Sequence, residues 1–414
     1  MSKINILVVP SDTIGGVGYY RSVQPHVYLD RHYGDEFSVT INPNPDWKNL
    51  ESFDNYDIIH IHKGLYDGNS GFLGAMAYFK NKGIITVMDI DDHFRLDFRH
   101  SQFASQKFYK TDETIKKNFT LFDYITTTTP IFADEIKKFN PNTYVFPNAI
   151  DPKDPQFSIN KTKSDRIRIG LIMGSSHEHD MELLRGLTNK LKNNNILEKV
   201  QFVLCGFDLR GSVRMIDNDT GKVQERNIEP KETVWYRYEQ NLTDDYRLVS
   251  PQYKDFLLRF SPNSEWNDVE QECYRRCWTK DMSHYYSHYN NVDILLAPLE
   301  TTEFNKVKSQ LKVIECCFSK TAIIASDFGP YKLDINSMFG KNNTFDENGN
   351  GVLIDETRNH KDWFKAITKL VNNPELITTL QNNLYNSLHN KYSLETVVQD
   401  RAEFYKKIYK NINH

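Results

Sequence analysis

The chain is poor in cysteine, has no surplus of positive charge and has no long apolar run. Its five cysteines, Cys205, Cys273, Cys277, Cys316 and Cys317, form no zinc spacing, and an odd number argues against a disulfide framework. They read as buried thiols in a reducing compartment. Lys and Arg number 51 against 55 Asp and Glu, a formal net charge of −4, which excludes a general attraction to nucleic acid but leaves room for a local basic patch. No apolar run approaches the ~20 residues that span a bilayer. The N-terminus runs straight into a strand, INILVVP, with no signal peptide. These absences point to a cytoplasmic protein, peripheral to a membrane at most.

What is present fits a globular enzyme-sized chain. A length of 414 residues allows two or three domains. In the first half, short apolar runs at 4–9, 38–41, 57–62, 83–88, 124–129 and 142–146 read as strands of a parallel sheet, with a helix at 72–82. The loop SDTIGGVGYYRSVQP follows the first strand. Its Gly15, Gly16 and Gly18 let a backbone approach a ligand closely. His60 and His62 alternate with isoleucines on one face of the third strand and read as structural histidines. MDIDDHF places Asp89, Asp91 and Asp92 at a strand end, where open α/β sheets bind ligands. An Asp-x-Asp pair there could also hold a divalent metal. Residues 95–122 mix aromatic and basic side chains at helical spacing, which suits either ordinary packing with a wet face or a surface for lipid or acceptor.

The alternation restarts after the Pro-rich DPKDPQF. A strand at 166–173 leads into Gly174-Ser175-Ser176-His177-Glu178-His179-Asp180, which opens a helix running to residue 193. Glycine and serine at a helix start offer N–H groups to a phosphate. Neither histidine has metal-ligand spacing. A strand at 200–205 ends at Gly206 and Asp208. Residues 210–283 are an aromatic insertion that begins with a hairpin turning at 218–221. Another strand, 292–297, leads to the most informative stretch, FNKVKSQLKVIECCFSKTAIIASDFGPY. Val307, Leu311, Ile314 and Phe318 predict one helical stripe; Lys308, Lys312 and Glu315 lie on the adjacent face. A buried strand at 321–326 and a loop bearing Gly329 follow. Two ammonium groups and a carboxylate suit a phosphate and a sugar diol. A solvated Lys–Glu face explains the same pattern.

PLETTEFNKVKSQLKVIE followed by IIASDFGPY resembles the nucleotide-sugar site of GT-B glycosyltransferases, nearest the large retaining family numbered four. Asn305, Lys308, Ser309, Lys312 and Glu315 match its N-x-x-K-S-x-x-K-x-x-E pattern position by position. Pro147-Asn148-Ala149-Ile150-Asp151 is close to the family's P-N-G-[IV]-D, with Ala149 in place of glycine, and the 174–180 loop resembles its donor loop. The resemblance implies an α/β fold of two Rossmann-like domains with a central donor cleft. Residues 1–150 would form the acceptor domain, joined by a C-terminal helix (393–414) that crosses back. Residues 160–392 would form the donor domain, with the insertion at about 210–283. It implies transfer of a sugar from a nucleotide-diphosphate sugar such as a UDP-sugar to a hydroxyl, with retention and without metal or further cofactor. The acceptor would be a glycan, a lipid-linked group or another hydroxyl, and nucleic acid enters only as an acceptor.

By the same resemblance, Lys308 and Ser309 stabilise the departing diphosphate and Glu315 accepts from the ribose. Gly15 and Gly16 face the diphosphate. Gly174, Ser175, Ser176, Lys312 and Gly329 hold the donor, and Gly206 lies by the base. Asp89 or Asp91 stands where many members carry a histidine beside the transferred sugar. Arg21, Asp92 and His93 fall on the acceptor side. A second glutamate that faces the sugar in typical members is replaced here by Val307, with Glu300 and Glu303 as candidates to substitute. Alternatives on the same fold are a phage-type transferase acting on modified DNA bases, a sugar-nucleotide epimerase and an inactive sugar-nucleotide-binding protein.

Overall fold

The computed structural model describes residues 3–65, 72–217, 219–340, 344–355 and 360–412. The chain divides into two compact units. The first comprises Met1–Pro152, Thr302–Ile314 and His389–His414; the second comprises Lys153–Thr301 and Glu315–Leu388.

The first unit is built on a six-stranded parallel sheet of β1 (Ile4–Val9), β2 (Phe37–Ile41), β3 (Ile58–His62), β4 (Ile85–Ile90), β5 (Tyr124–Thr127) and β6 (Thr143–Val145), in the order β2-β1-β3-β4-β5-β6. Every residue of β3 and β4 is buried, His60, His62 and Asp89 included among the apolar side chains. Alternate side chains of β1 enter two cores on opposite faces: Leu7 and Val9 pack with Phe79, Phe119 and Phe132, while Ile6 and Val8 pack with Phe37. The second of these cores also takes the helix Leu394–Ile412, whose Leu394, Val397, Val398, Tyr405 and Ile408 recur at helical spacing. Tyr405 joins two buried histidines, its hydroxyl lying 2.8 Å from His26 Nε2 and 2.8 Å from His60 Nδ1.

The second unit carries β7 (Ile167–Ile172), β8 (Val200–Phe207), β9 (Ser212–Ile216), β10 (Val223–Asn227), β11 (Tyr274–Trp278), β12 (Ile294–Ala297), β13 (Ala322–Ser326) and β14 (Val352–Ile354). Six of them form a parallel sheet in the order β11-β8-β7-β12-β13-β14, and β9 pairs with β10 as an antiparallel hairpin. Residue 218 of the hairpin's expected turn lies outside the described residues. The insertion is therefore only partly an appendage, since its last segment supplies the edge strand β11. Its helix Val234–Thr243 buries Trp235, Tyr238 and Leu242 in this unit's core. Beside them Glu239, sealed from solvent, accepts from Arg276 at 2.7 and 2.5 Å and from the Tyr246 and Tyr274 hydroxyls at 3.1 and 2.8 Å.

Several boundaries differ from the sequence expectation. Val307, Leu311, Ile314 and Phe318 do not form one stripe, because the helix is broken into Glu303–Lys306 and Leu311–Ser319. Val307 is drawn into the first unit's core, and the Gln310 carbonyl, accepting from Val313 and Ile314 N–H, starts the second helix. The helix expected from Gly174 to residue 193 is likewise two pieces, Glu178–Glu182 and Leu187–Asn193, interrupted at Gly186 with φ of +85°.

Candidate active site

In the first unit the polar side chains gather where β1, β3 and β4 end. Asp89 lies inside β4 rather than in the loop after it, so its side chain is buried. Arg21 reaches it from the turn Tyr19–Val23, donating through Nε at 2.9 Å and Nη2 at 2.6 Å. Arg21 Nη1 donates to the Phe146 carbonyl at 2.6 Å and Asn148 Oδ1 at 3.2 Å, and Thr126 Oγ1 donates to Asp89 at 2.6 Å. Burial opposes charge on Asp89, but Arg21 outweighs it and holds the carboxyl well below the ordinary carboxylate range. Two expectations are thereby corrected. Arg21, 1% exposed, makes four hydrogen bonds inside the unit and lies out of reach of an acceptor, and Asp89 is its buried partner.

Two residues further on, Asp91 belongs to a different cluster. His62 Nε2 lies 3.2 Å from Asp91 Oδ1, and the other ring nitrogen, Nδ1, lies 2.8 Å from Ser11 Oγ. Lys63 Nζ lies 4.0 Å from the same Asp91 oxygen. Burial opposes charge on Asp91, while the His62 hydrogen bond and the Lys63 charge favour it, and the carboxyl is held below its ordinary range. Lys63 has φ of +66° and Gly64 +78°, the left-handed turn that ends β3 and brings the ammonium back over the strand end. His62, buried with both ring nitrogens engaged, fits the satisfied structural histidine expected from the sequence, whereas Ser11 and Lys63 were not singled out there. The available signal was position, since His62 is the last residue of its strand.

Lys308 comes to this same edge. Its ammonium is 3.9 Å from Asp92 Oδ1 and 4.7 Å from the centre of the Phe304 ring. The side chain is only 16% exposed, against 41% for Asp92. Ser309 Oγ accepts from Asn148 Nδ2 at 3.2 Å, tying the Lys308–Ser309 turn to the P-N-A-I-D segment. His93 is turned inward: its ring stacks on Phe94 with centroids 4.5 Å apart, and Nδ1 accepts from the Arg95 N–H at 2.9 Å. Burial lowers its pKa. Gly15 donates its N–H to Asp12 Oδ1 at 2.5 Å, so that amide is already engaged rather than offered to a diphosphate; Gly16 beside it is half-buried. Gly18 is the glycine the loop requires, since a Cβ there would meet the Asp12 carbonyl oxygen at 2.0 Å.

In the second unit Gly174, Ser175 and Ser176 form an exposed turn after β7. His177 Nδ1 lies 2.5 Å from Asp180 Oδ2, and Asp180 Oδ1 accepts from the Glu300 N–H at 2.7 Å, so the turn is braced against the segment after β12. Gly206 sits within β8 at φ of +95°, and Gly329 is buried at φ of +56°. Glu315 is not on a solvated face. It is sealed from solvent, and Tyr289 donates to its Oε2 at 2.7 Å while Tyr286 donates to its carbonyl at 2.9 Å. Its helix is apolar on nearly every side, which is why the expected partition into wet and dry faces fails. Lys312, half-buried, remains on that helix. Of the two substitutes for the missing glutamate, Glu303 is 80% exposed and faces Lys306.

Among the described residues no group of three or more His, Cys, Asp or Glu side chains is placed to hold a metal ion, and no helix is long and apolar enough to cross a membrane.

No protein-family model matches the chain, and no curated protein sequence matches it. Solved structures do. The Anabaena protein HepE, crystallised with UDP and glucose, aligns over 98% of this chain and 100% of its own, with a TM-score of 0.60 and 11% identity. A UDP-forming α,α-trehalose-phosphate synthase from Burkholderia xenovorans aligns over 100% of both chains, with a TM-score of 0.55 and 10% identity. TarM of S. aureus, crystallised with UDP and α-GlcNAc-glycerol, aligns over 86% of this chain and 57% of its own, with a TM-score of 0.51 and 14% identity. At these identities the likeness is one of fold: two Rossmann-like α/β domains of the GT-B type.

Proposed function

We propose that this protein transfers a sugar from a nucleoside diphosphate sugar to a hydroxyl acceptor. The observation that carries the reading is Lys308. An ammonium group this far out of water needs a close anionic partner, yet its carboxylate neighbour stands 3.9 Å away and is 41% exposed. The site is preorganised for a stronger anion, and a diphosphate supplies it. The whole-chain likeness to structures that hold UDP or UDP-glucose supports the same choice of ligand.

In this reading Lys308 and the Ser309 hydroxyl stabilise the charge that builds on the departing diphosphate, the interaction that lowers a glycosyl-transfer barrier most directly. Fixed positive charge does the leaving-group work, so the reaction is proposed to proceed without a metal. Asp91 and His62 hold a hydroxyl of the transferred sugar. Asp89 and Arg21 keep the strand end rigid. Glu315, sealed from solvent and held by Tyr289, is not given the ribose contact; it steadies the helix that carries Lys312. The bond from the anomeric carbon to the phosphate oxygen breaks, a bond to the acceptor oxygen forms, and the acceptor proton passes to the leaving phosphate. The motif around Asn305–Glu315 favours retention at the anomeric carbon.

The test is a thermal-shift titration with UDP, GDP and ADP and their common sugars, followed by nucleotide-release assays with the donor that binds. A native-state ligand at a hundred times its Kd adds about 2.7 kcal/mol of stability. A protein that no nucleoside diphosphate stabilises does not have this function.

A further inference from the structure

The insertion leaves a cavity that the donor chemistry does not use. Its helix Val234–Thr243 lies alongside the short helix Glu178–Glu182, and a hollow of about 570 Å³ opens between them and the turn at Gly186. The volume falls in the range of small-molecule sites, but the lining is unlike an apolar pocket. Arg185 and Arg237 line it together with Glu178, Glu182, Asp244 and Asp245, with the carboxamides of Asn189, Gln240 and Asn241 among them. Met181 and the Tyr238 ring are the apolar and aromatic side chains of the lining.

That composition selects by chemistry. A polyphosphate or nucleic acid is disfavoured, because carboxylates outnumber guanidinium groups. A polyamine would be drawn to the four carboxylates but repelled by both arginines among them. An acyl chain would desolvate charges for little apolar contact. A neutral polyhydroxylated ligand suits every group, since each sugar hydroxyl can donate to a carboxylate and accept from a guanidinium or amide N–H. The small apolar patch suits the C–H face of a sugar ring, and the volume has room for more than one ring.

The walls are held in place. Arg237 Nη2 donates to Glu178 Oε2 at 2.8 Å, and Asn241 Nδ2 donates to the Met181 carbonyl at 3.0 Å. Gln240 Nε2 donates to Asp245 Oδ1 at 3.1 Å. Asp244, Asp245 and Tyr246 have φ of +48°, +55° and +67°, three consecutive left-handed residues at the rim, a conformation that non-glycine residues adopt only when the surroundings impose it. Tyr238, on the cavity wall, donates through its hydroxyl to the Gly174 carbonyl at 3.3 Å, so the hollow is tied to the loop after β7.

We infer that this cavity binds a neutral oligosaccharide and serves as a subsite for the acceptor glycan. The assignment as an acceptor subsite rests on the sugar-transfer reading; binding of the oligosaccharide does not. The experiment is calorimetric or saturation-transfer titration of the full chain, without nucleotide, with neutral gluco-, galacto-, manno- and N-acetylhexosamine oligosaccharides in both anomeric linkages. Spermidine and inorganic pyrophosphate are the charged comparators. At least one oligosaccharide is expected to bind with Kd of about 1 mM or tighter. Arg237→Ala, which removes an exposed ion pair, and Asn189→Trp, which fills the hollow from an exposed helix position, are each expected to weaken it at least tenfold while leaving the melting temperature and UDP binding as in the parent. Absence of binding by every oligosaccharide, equal binding by Asn189→Trp, or a preference for spermidine or pyrophosphate overturns the inference. A protein that binds an oligosaccharide but no nucleotide keeps the cavity and loses the transferase reading. The converse loses the cavity alone.

Discussion

Arg21 and Asp89 form a two-pronged ion pair, 2.9 and 2.6 Å, in which the side chains are 1% and 0% exposed. Each is expensive to bury alone, so each makes the other tolerable, and together they pin the first helix turn to the middle strand of the sheet. Asp91, one residue past the end of that strand, is thereby presented at the strand end.

Breaking the pair is expected to be costly. Arg21→Ala or Asp89→Asn leaves an unpartnered buried charge and should destabilise the protein by about 3–5 kcal/mol. Arg21→Lys should recover little, because an ammonium cannot make the parallel pair of hydrogen bonds. Urea denaturation monitored on the far-ultraviolet signal measures this, and a loss below about 1 kcal/mol for Arg21→Ala would mean the pair is not structural.

Lys308→Ala should separate binding from folding. Nucleoside diphosphate affinity is expected to drop at least tenfold, about 1.4 kcal/mol. The melting temperature without ligand should hold or rise, since a nearly buried ammonium is removed. Parent-like affinity would leave the diphosphate assignment without its main support.

His62→Ala and Asp91→Asn test the sugar-facing cluster. Each should lower kcat/KM for the donor sugar at least tenfold, about 1.4 kcal/mol, while affinity for the free nucleotide diphosphate stays within about twofold of the parent. Equal loss of both affinities would indicate damage to the fold rather than to sugar recognition.

Acid should weaken the fold before the carboxylates titrate. Burial, with a contribution from Arg401, holds His26 down to about 3, and burial with His26 nearby holds His60 well below its ordinary value. The unfolded chain takes up protons on both as pH falls through about 6.5, while the folded chain refuses them. Stability therefore declines as pH drops from about 6.5 toward the depressed values, by up to ~1.4 kcal/mol per pH unit for each histidine. Asp89 has the usual carboxylate behaviour, contributing above its unfolded pKa and losing that contribution only at the acid end. Urea midpoints measured between about pH 7 and about pH 5 should fall, and His26→Gln should flatten the slope. A flat profile in the parent would contradict the buried neutral histidines.

The strands were legible because both faces of each parallel sheet are covered, so most of their residues are apolar. The Lys308–Glu315 region was legible as a motif but not as a shape. Helical spacing put Val307, Lys308 and Glu315 on one rod, and the structure breaks that rod because the core needs Val307 and a cap is available at Gln310. Asp89 and Asp91 could not be told apart from the string DIDD. Both are buried, Asp89 within the strand against Arg21 and Asp91 just past its end against His62, and only the folded chain assigns those partners.

Local chemistry, carried by residue type and spacing, was determined by the sequence alone: alternating apolar strands, glycine turns at their ends, and a cationic motif suited to a phosphate. Partnership was decided by the tertiary structure. Arg21 finds Asp89, Glu315 finds Tyr289, Ser11 and Asp91 share His62, and the insertion's helix encloses a polar hollow. These residues are far apart in sequence, and burial makes their pairing obligatory. A charge or hydroxyl enclosed in the core must be satisfied by whatever the fold brings to it, and no spacing rule along the chain specifies that group.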